Sequence, residues 1–188
     1  DPAWSYDGSR IAFTSERVNG LRQVFVMNAD GSDQQFWTRG YAVEYEPYWS
    51  PEGDVLAVVA SINDAPGEIF LRTGEGEDNT TLFDRQKRLG GVDDLAWSSD
   101  GKYFAYTRTK SGHKEIAIVE VESRGTLIFL LTNSLNNKEP DWSPDNMWIV
   151  FTSTQNQNSD IYIMDAAGGQ VTQLTTDEAI DKEPAWQP

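Results

Sequence analysis

The chain has 188 residues, 38% of them hydrophobic and 12% aromatic, which is enough apolar surface to bury a core and excludes a disordered chain. It contains no cysteine, which rules out disulfides, thiolate metal sites and cysteine nucleophiles, and no apolar run approaches the length that spans a bilayer as a helix. Thirty acidic residues against fifteen basic ones give a net charge of −15, a field that repels nucleic acid and anionic membranes and attracts a basic partner or a cation.

From the start, Asp1-Pro2-Ala3-Trp4 reads as folded sequence rather than a secretory leader, and a processed chain or a piece of a longer one would begin in the same way. The first repeat, about 1–45, holds Trp4-Ser5, a turn at Asp7-Gly8, an apolar strand Ile11-Ala12-Phe13 and a third strand Val24-Phe25-Val26-Met27. A turn at Asp30-Gly31 and a closing strand Phe36-Trp37-Thr38 complete it. The second, 46–92, repeats the order with Trp49-Ser50, Leu56-Ala57-Val58, Ile69-Phe70-Leu71 and Leu82-Phe83. The third, 93–138, has Trp97-Ser98, Phe104-Ala105-Tyr106, Ile116-Ala117-Ile118-Val119 and Leu130-Leu131-Thr132. The fourth, 139–182, has Trp142-Ser143, Ile149-Val150-Phe151, Ile161-Tyr162-Ile163-Met164 and Leu174-Thr175. An extra inner strand, 183–188, opens a fifth copy at Glu183-Pro184-Ala185-Trp186.

The five tryptophans, Trp4, Trp49, Trp97, Trp142 and Trp186, stand 45, 48, 45 and 44 residues apart. Gly8, Gly53, Gly101 and Asn146 each follow one of the first four and supply the positive φ of a tight hairpin. The apolar runs are too short for helices and rich in β-branched and aromatic residues, so they read as buried strands. The small residue in the middle of three of them (Ala12, Ala57, Ala105) marks a crowded position against a neighbouring sheet. Four strands every 44–48 residues, with no window of helical periodicity, make an all-β chain of four-stranded antiparallel β-propeller blades.

Pro140-Asp141-Trp142-Ser143-Pro144-Asp145, Asp160-Ile161-Tyr162-Ile163-Met164-Asp165 and Gln173-Leu174-Thr175 resemble the WD-like repeat of TolB-type propellers, and the likeness extends over the whole chain. Repeat two departs from it with Leu71-Arg72-Thr73 in place of Met-Asp, and repeat three lacks the proline before its tryptophan. TolB-type propellers carry about six blades and this chain four. Three arrangements are therefore open: a portion of a longer protein, a four-bladed ring, or a homodimer that completes an eight-bladed ring. The resemblance implies an extracytoplasmic, periplasmic or secreted, non-enzymatic module that binds a protein, peptide or ligand, with no cofactor. A second reading comes from the similar propellers that gate prolyl-oligopeptidase-like serine peptidases, the catalytic domain lying outside this chain. A carbohydrate-active propeller is a third.

Catalytic residues are not expected. His113 is the chain's one histidine, in a polar turn, and no Gly-x-Ser-x-Gly elbow exists. Asp93-Asp94 are adjacent on a strand and point to opposite faces, so they do not converge as a glycosidase pair. Asn28 to Asp33 resembles the start of a calcium loop but has Arg39 at the twelfth position and falls where every repeat turns. Asn79-Thr80-Thr81 is a glycosylation sequon by pattern alone.

One chemical feature recurs with the tryptophans. Three residues before each stands a carboxylate: Asp1, Glu46, Asp94, Glu139 and Glu183. The resemblance places them at the mouth of a central channel, an acidic rim for a cation or basic group, with neighbours Tyr45, Tyr48, Lys138, Asp141 and Lys182. A structural role, accepting backbone N–H bonds within or between blades, would recur with the same period. The in-register tryptophans are expected to pack between blades, which leaves Trp37 and Trp148 as the tryptophans for exposed contacts.

Overall fold

The computed structural model describes residues 2–38, 43–51, 53, 55–61, 67–73, 78–81, 91–122, 126–131, 136–155 and 158–186. They form four antiparallel sheets of four strands, each in simple up-and-down order. The first comprises β1 (Ala3–Trp4), β2 (Arg10–Ser15), β3 (Gln23–Asn28) and β4 (Gln35–Phe36). The second comprises β5 (Val43–Trp49), β6 (Val55–Ser61), β7 (Glu68–Thr73) and β8 (Asp78–Thr81). The third comprises β9 (Gly91–Trp97), β10 (Tyr103–Lys110), β11 (His113–Glu120) and β12 (Thr126–Leu131). The fourth comprises β13 (Asn137–Trp142), β14 (Trp148–Ser153), β15 (Asp160–Asp165) and β16 (Thr172–Gln173). The chain divides into two compact units, Asp1–Lys87 with the first two sheets and Arg88–Pro188 with the last two.

Each unit has the same core logic. In the first, Trp49 lies in one apolar cluster with Ala12, Val24 and Val26 of the preceding sheet. In the second, Trp142 does the same with Ala105, Ile116 and Ile118. The alanine, fully buried in both cases, leaves room for the indole, which explains the small residue in mid-strand. Trp49 and Trp142 are therefore inter-sheet keys, as the repeat predicts. Trp97 and Trp186 are half-buried, and Trp4 is 59% exposed. Trp37 corrects the expectation of an exposed contact: it is buried against Trp49, ring centroids 6.1 Å apart, because the chain after β4 folds back into the inter-sheet core.

The serine after Trp4, Trp97 and Trp142 is a hairpin hub. The Ser5, Ser98 and Ser143 hydroxyls donate to the carboxylates of Asp7, Asp100 and Asp145 and accept the N–H of Arg10, Tyr103 and Trp148, each at 2.9 Å. Backbone bonds from Gly8, Gly101 and Asn146 to the same serines close the turns with a left-handed residue at each (φ 67, 68 and 60). The bonds from Ser9 and Ser5 hold the exposed Asp7 carboxyl down to a pKa of about 2.

The closing strands begin earlier than the sequence predicts. They are Gln35–Phe36, Thr126–Leu131 and Thr172–Gln173, and single bonds (Trp37 N–H to Val24, Leu174 N–H to Ile161) continue the first and last beyond the ladder. Leu82-Phe83 lies outside the described residues.

Arg72, on β7, takes the place that Met27, Val119 and Met164 occupy in the other repeats. It is 4% exposed, stacks on Phe70 and pairs with the buried Glu44 at 3.1 Å. Glu44 also accepts the Thr38 hydroxyl and the Val24 N–H, so one charged residue in the core has drawn a second, compensating one.

Candidate functional site

The recurring carboxylates share a backbone state that the sequence does not show. Glu46, Asp94, Glu139 and Glu183 all have left-handed φ, between 43° and 57°. On β5, β9 and β13 the ladder slips one residue at this point, so each of these three sits on a β-bulge. A carboxylate in this conformation, before proline in three of the four cases, is strained by roughly 1–3 kcal/mol and persists only where its surroundings fix it. The bulge on β9 falls just after Asp93, between it and Ala96. Asp93 turns outward to Lys114 at 3.5 Å and Asp94 is half-buried. Asp1 lies outside the described residues.

In the second unit the fixing groups are visible. Glu139 donates its N–H to the Thr107 hydroxyl of the preceding sheet (3.1 Å). Its carboxylate accepts the Thr152 hydroxyl (2.8 Å) and the Glu183 N–H (2.9 Å), and pairs with the Lys138 ammonium. Asp141, two residues on, accepts the N–H of Trp142 (3.0 Å) and of Trp186 (2.7 Å). The segment around Glu183 and Trp186 is thus held to β13 by two carboxylates.

The two titrate in opposite directions. Burial opposes ionisation of Glu139, but Lys138, the Glu183 N–H and Thr152 outweigh it and hold its pKa below the usual value. Burial of Asp141 prevails over its two N–H bonds and raises its pKa. Lys182 pairs with Glu183 at 3.1 Å, both largely exposed. By repeat position the Glu139 N–H corresponds to that of Glu183, which finds a glutamate; Asp94 is one methylene shorter, and Thr107 takes the bond instead.

In the first unit the same position opens on a cleft. Tyr45 and Glu46 line a cavity of about 460 Å³ with Thr14, Ser15, Glu16 and Arg22. Tyr48 donates its hydroxyl to Glu46 Oε2 at 2.7 Å and steadies that carboxylate. Arg22 lies over the Tyr45 ring, its Cζ 5.4 Å from the centroid, and pairs with Glu16 at 3.6 Å. The cleft therefore offers two carboxylates, one guanidinium, an aromatic face and hydroxyls, a set suited to polar recognition.

The other sequence features resolve as local structure. His113 is exposed beside a Ser111-Gly112 turn with φ 53 and 83, the two positive values of a type I′ hairpin. Asp30 directs its carboxylate to the Ser32 N–H and hydroxyl, closing the Asn28 to Asp33 turn. Among the described residues no group of three or more His, Cys, Asp or Glu is placed to hold a metal. Trp148 is 36% exposed beside Met147 at 62%.

Sequence reasoning missed Thr107 and Thr152, although a threonine follows the apolar run in three of four repeats (Thr14, Thr107, Thr152) and that register was readable. Arg22 and Glu16 had no such marker, since no other repeat carries them at matching positions.

A family model described as the PD40 TolB beta propeller domain matches residues 92–188, just over half the chain. The chain is 29% identical over 177 residues to the "Uncharacterized peptidase YuxL" of Bacillus subtilis, matching 87% of this chain and 24% of that protein. It is 28% identical over 165 residues to the "Protein TolB homolog" of Chlorobium luteolum, matching 87% of this chain and 36% of that one. The chain thus spans about a quarter to a third of the length of these curated relatives. A solved TolB-type structure from Agrobacterium tumefaciens superposes on 97% of this chain and 64% of its own with a TM-score of 0.81; at 24% identity that likeness speaks for the fold. The four up-and-down sheets match the propeller blades of the solved structure, the last two also match the family model, and the chain belongs to the PD40 TolB beta propeller family.

Proposed function

We propose that this chain is a non-enzymatic binding module of an extracytoplasmic protein, taking a protein or peptide partner at the pre-tryptophan residues Tyr45 and Glu46 of the first unit. The observation that carries this reading is the Tyr45–Glu46 cleft, about 460 Å³ and lined by acid, base, hydroxyl and aromatic groups. Its volume falls in the range of small-ligand and side-chain pockets. The likeness to a TolB homolog supports both the binding role and the compartment. The test is a random peptide display against the purified chain, counter-screened with Tyr45→Ala and Glu46→Gln. Enrichment lost in both variants supports the reading, and no enrichment over a blank surface contradicts it.

A second reading, the gating portion of a peptidase, is favoured by the match to the YuxL peptidase across 87% of this chain. A downstream Gly-x-Ser-x-Gly and a later histidine in the full coding sequence would select it.

A further inference from the structure

We propose that the Tyr45–Glu46 cleft takes a cationic side chain, the guanidinium or ammonium of a partner's arginine or lysine, and that Arg22 is its intrachain stand-in. The inference rests on the peptide-binding reading and names the group recognised there. Arg22 shows how a guanidinium fits: its Cζ lies over the Tyr45 ring, with a carboxylate beside its Nη2. That carboxylate is Glu16, and the pair is loose, at 3.6 Å with Arg22 46% and Glu16 63% exposed by side chain. An ion pair so exposed contributes little and is readily displaced.

Glu46 is better prepared. The bulge fixes its backbone, Tyr48 holds its Oε2, and it lines the same cavity. Among the described lining residues two carboxylates stand against one guanidinium, so Arg22 answers only one of them. An incoming cation meets an aromatic face and a fixed carboxylate, the combination that recognises guanidinium and ammonium groups. A ligand cation gains most when Arg22 is out of the way. This predicts that removing a residue lining the site strengthens binding.

The experiment titrates the ¹⁵N-labelled chain by NMR with acetyl-Gly-Arg-Gly-amide and with the same peptide carrying citrulline, which keeps the shape and loses the charge. The arginine peptide is expected to shift the Tyr45 and Glu46 amides, and the citrulline peptide to leave them in place. Arg22→Ala is expected to bind the arginine peptide at least roughly threefold more tightly, and Arg22→Gln to move in the same direction. Glu46→Gln in the Arg22→Ala background is expected to lose roughly tenfold or more, the order of one charge-assisted bond. Equal binding of the citrulline peptide, or weaker binding by both Arg22 variants, overturns the proposal. Display peptides that depend on Tyr45 and Glu46 yet lack arginine and lysine would also overturn it while leaving the peptide-binding reading intact. A display without enrichment would strike that reading instead.

Discussion

Glu139 and Glu46 occupy the same place in the repeat and have different work. Glu139 is engaged by Lys138, Thr152 and the Glu183 N–H, so its loss is expected to be felt in stability. Glu139→Gln should destabilise the chain by about 1–3 kcal/mol in denaturant unfolding at neutral pH. The pH dependence has a definite sign. A carboxylate whose pKa is lowered by folding stabilises above its unfolded pKa and loses that contribution as pH falls through its folded one. The wild type should therefore shed stability below roughly pH 4, and Glu139→Gln should show a flatter acid limb. Asp141, raised by burial, runs the other way: its contribution is full at low pH and declines as pH rises through its folded pKa, so it does not add to acid unfolding. The positions of these carboxylates were legible from their fixed offset to tryptophan. Their roles were not, because Thr107 and Thr152 belong to other strands and the Glu183 N–H to the irregular segment after β16.

At the scale of the blade, tryptophan burial decides the energetics. Trp142 is 5% exposed and seated on Ala105, Ile116 and Ile118 of the preceding sheet, whereas Trp4 is 59% exposed. Trp142→Ala should cost about 3–5 kcal/mol and Trp4→Ala about 1 kcal/mol or less, measured by the same denaturant titration. The hairpin at Asn146 gives a finer test. Asn146 has φ 60 and accepts the Ser99 N–H from the third sheet at 2.6 Å. Asn146→Gly keeps the backbone state and loses only that bond, about 1 kcal/mol, while Asn146→Ala also strains the turn and should lose about twice as much. Strands two and three were legible in every repeat, since apolar runs between turn residues leave little choice. The closing strands were displaced because they lie at a sheet edge, where pairing rather than burial sets the ends. Trp37 was misread because its burial comes from Trp49 of the next sheet, which no local pattern encodes.

Across the whole molecule, the repeat period carried the fold from sequence to family. The cleft was only half legible. Tyr45 and Glu46 fall at repeat positions, but Glu16 and Arg22 come from loop residues unique to the first repeat, and only the fold brings them to β5. The same repeat position thus carries a clasp in the second unit and, in the first, the carboxylate we propose for ligand binding. The most direct test is the affinity of Glu46→Gln for the peptides enriched by the wild-type chain, with the melting temperature read on the same sample. The account predicts a loss of roughly tenfold or more in affinity with an unchanged melting temperature. Unchanged affinity, or a fall in melting temperature as large as that of Glu139→Gln, would contradict it.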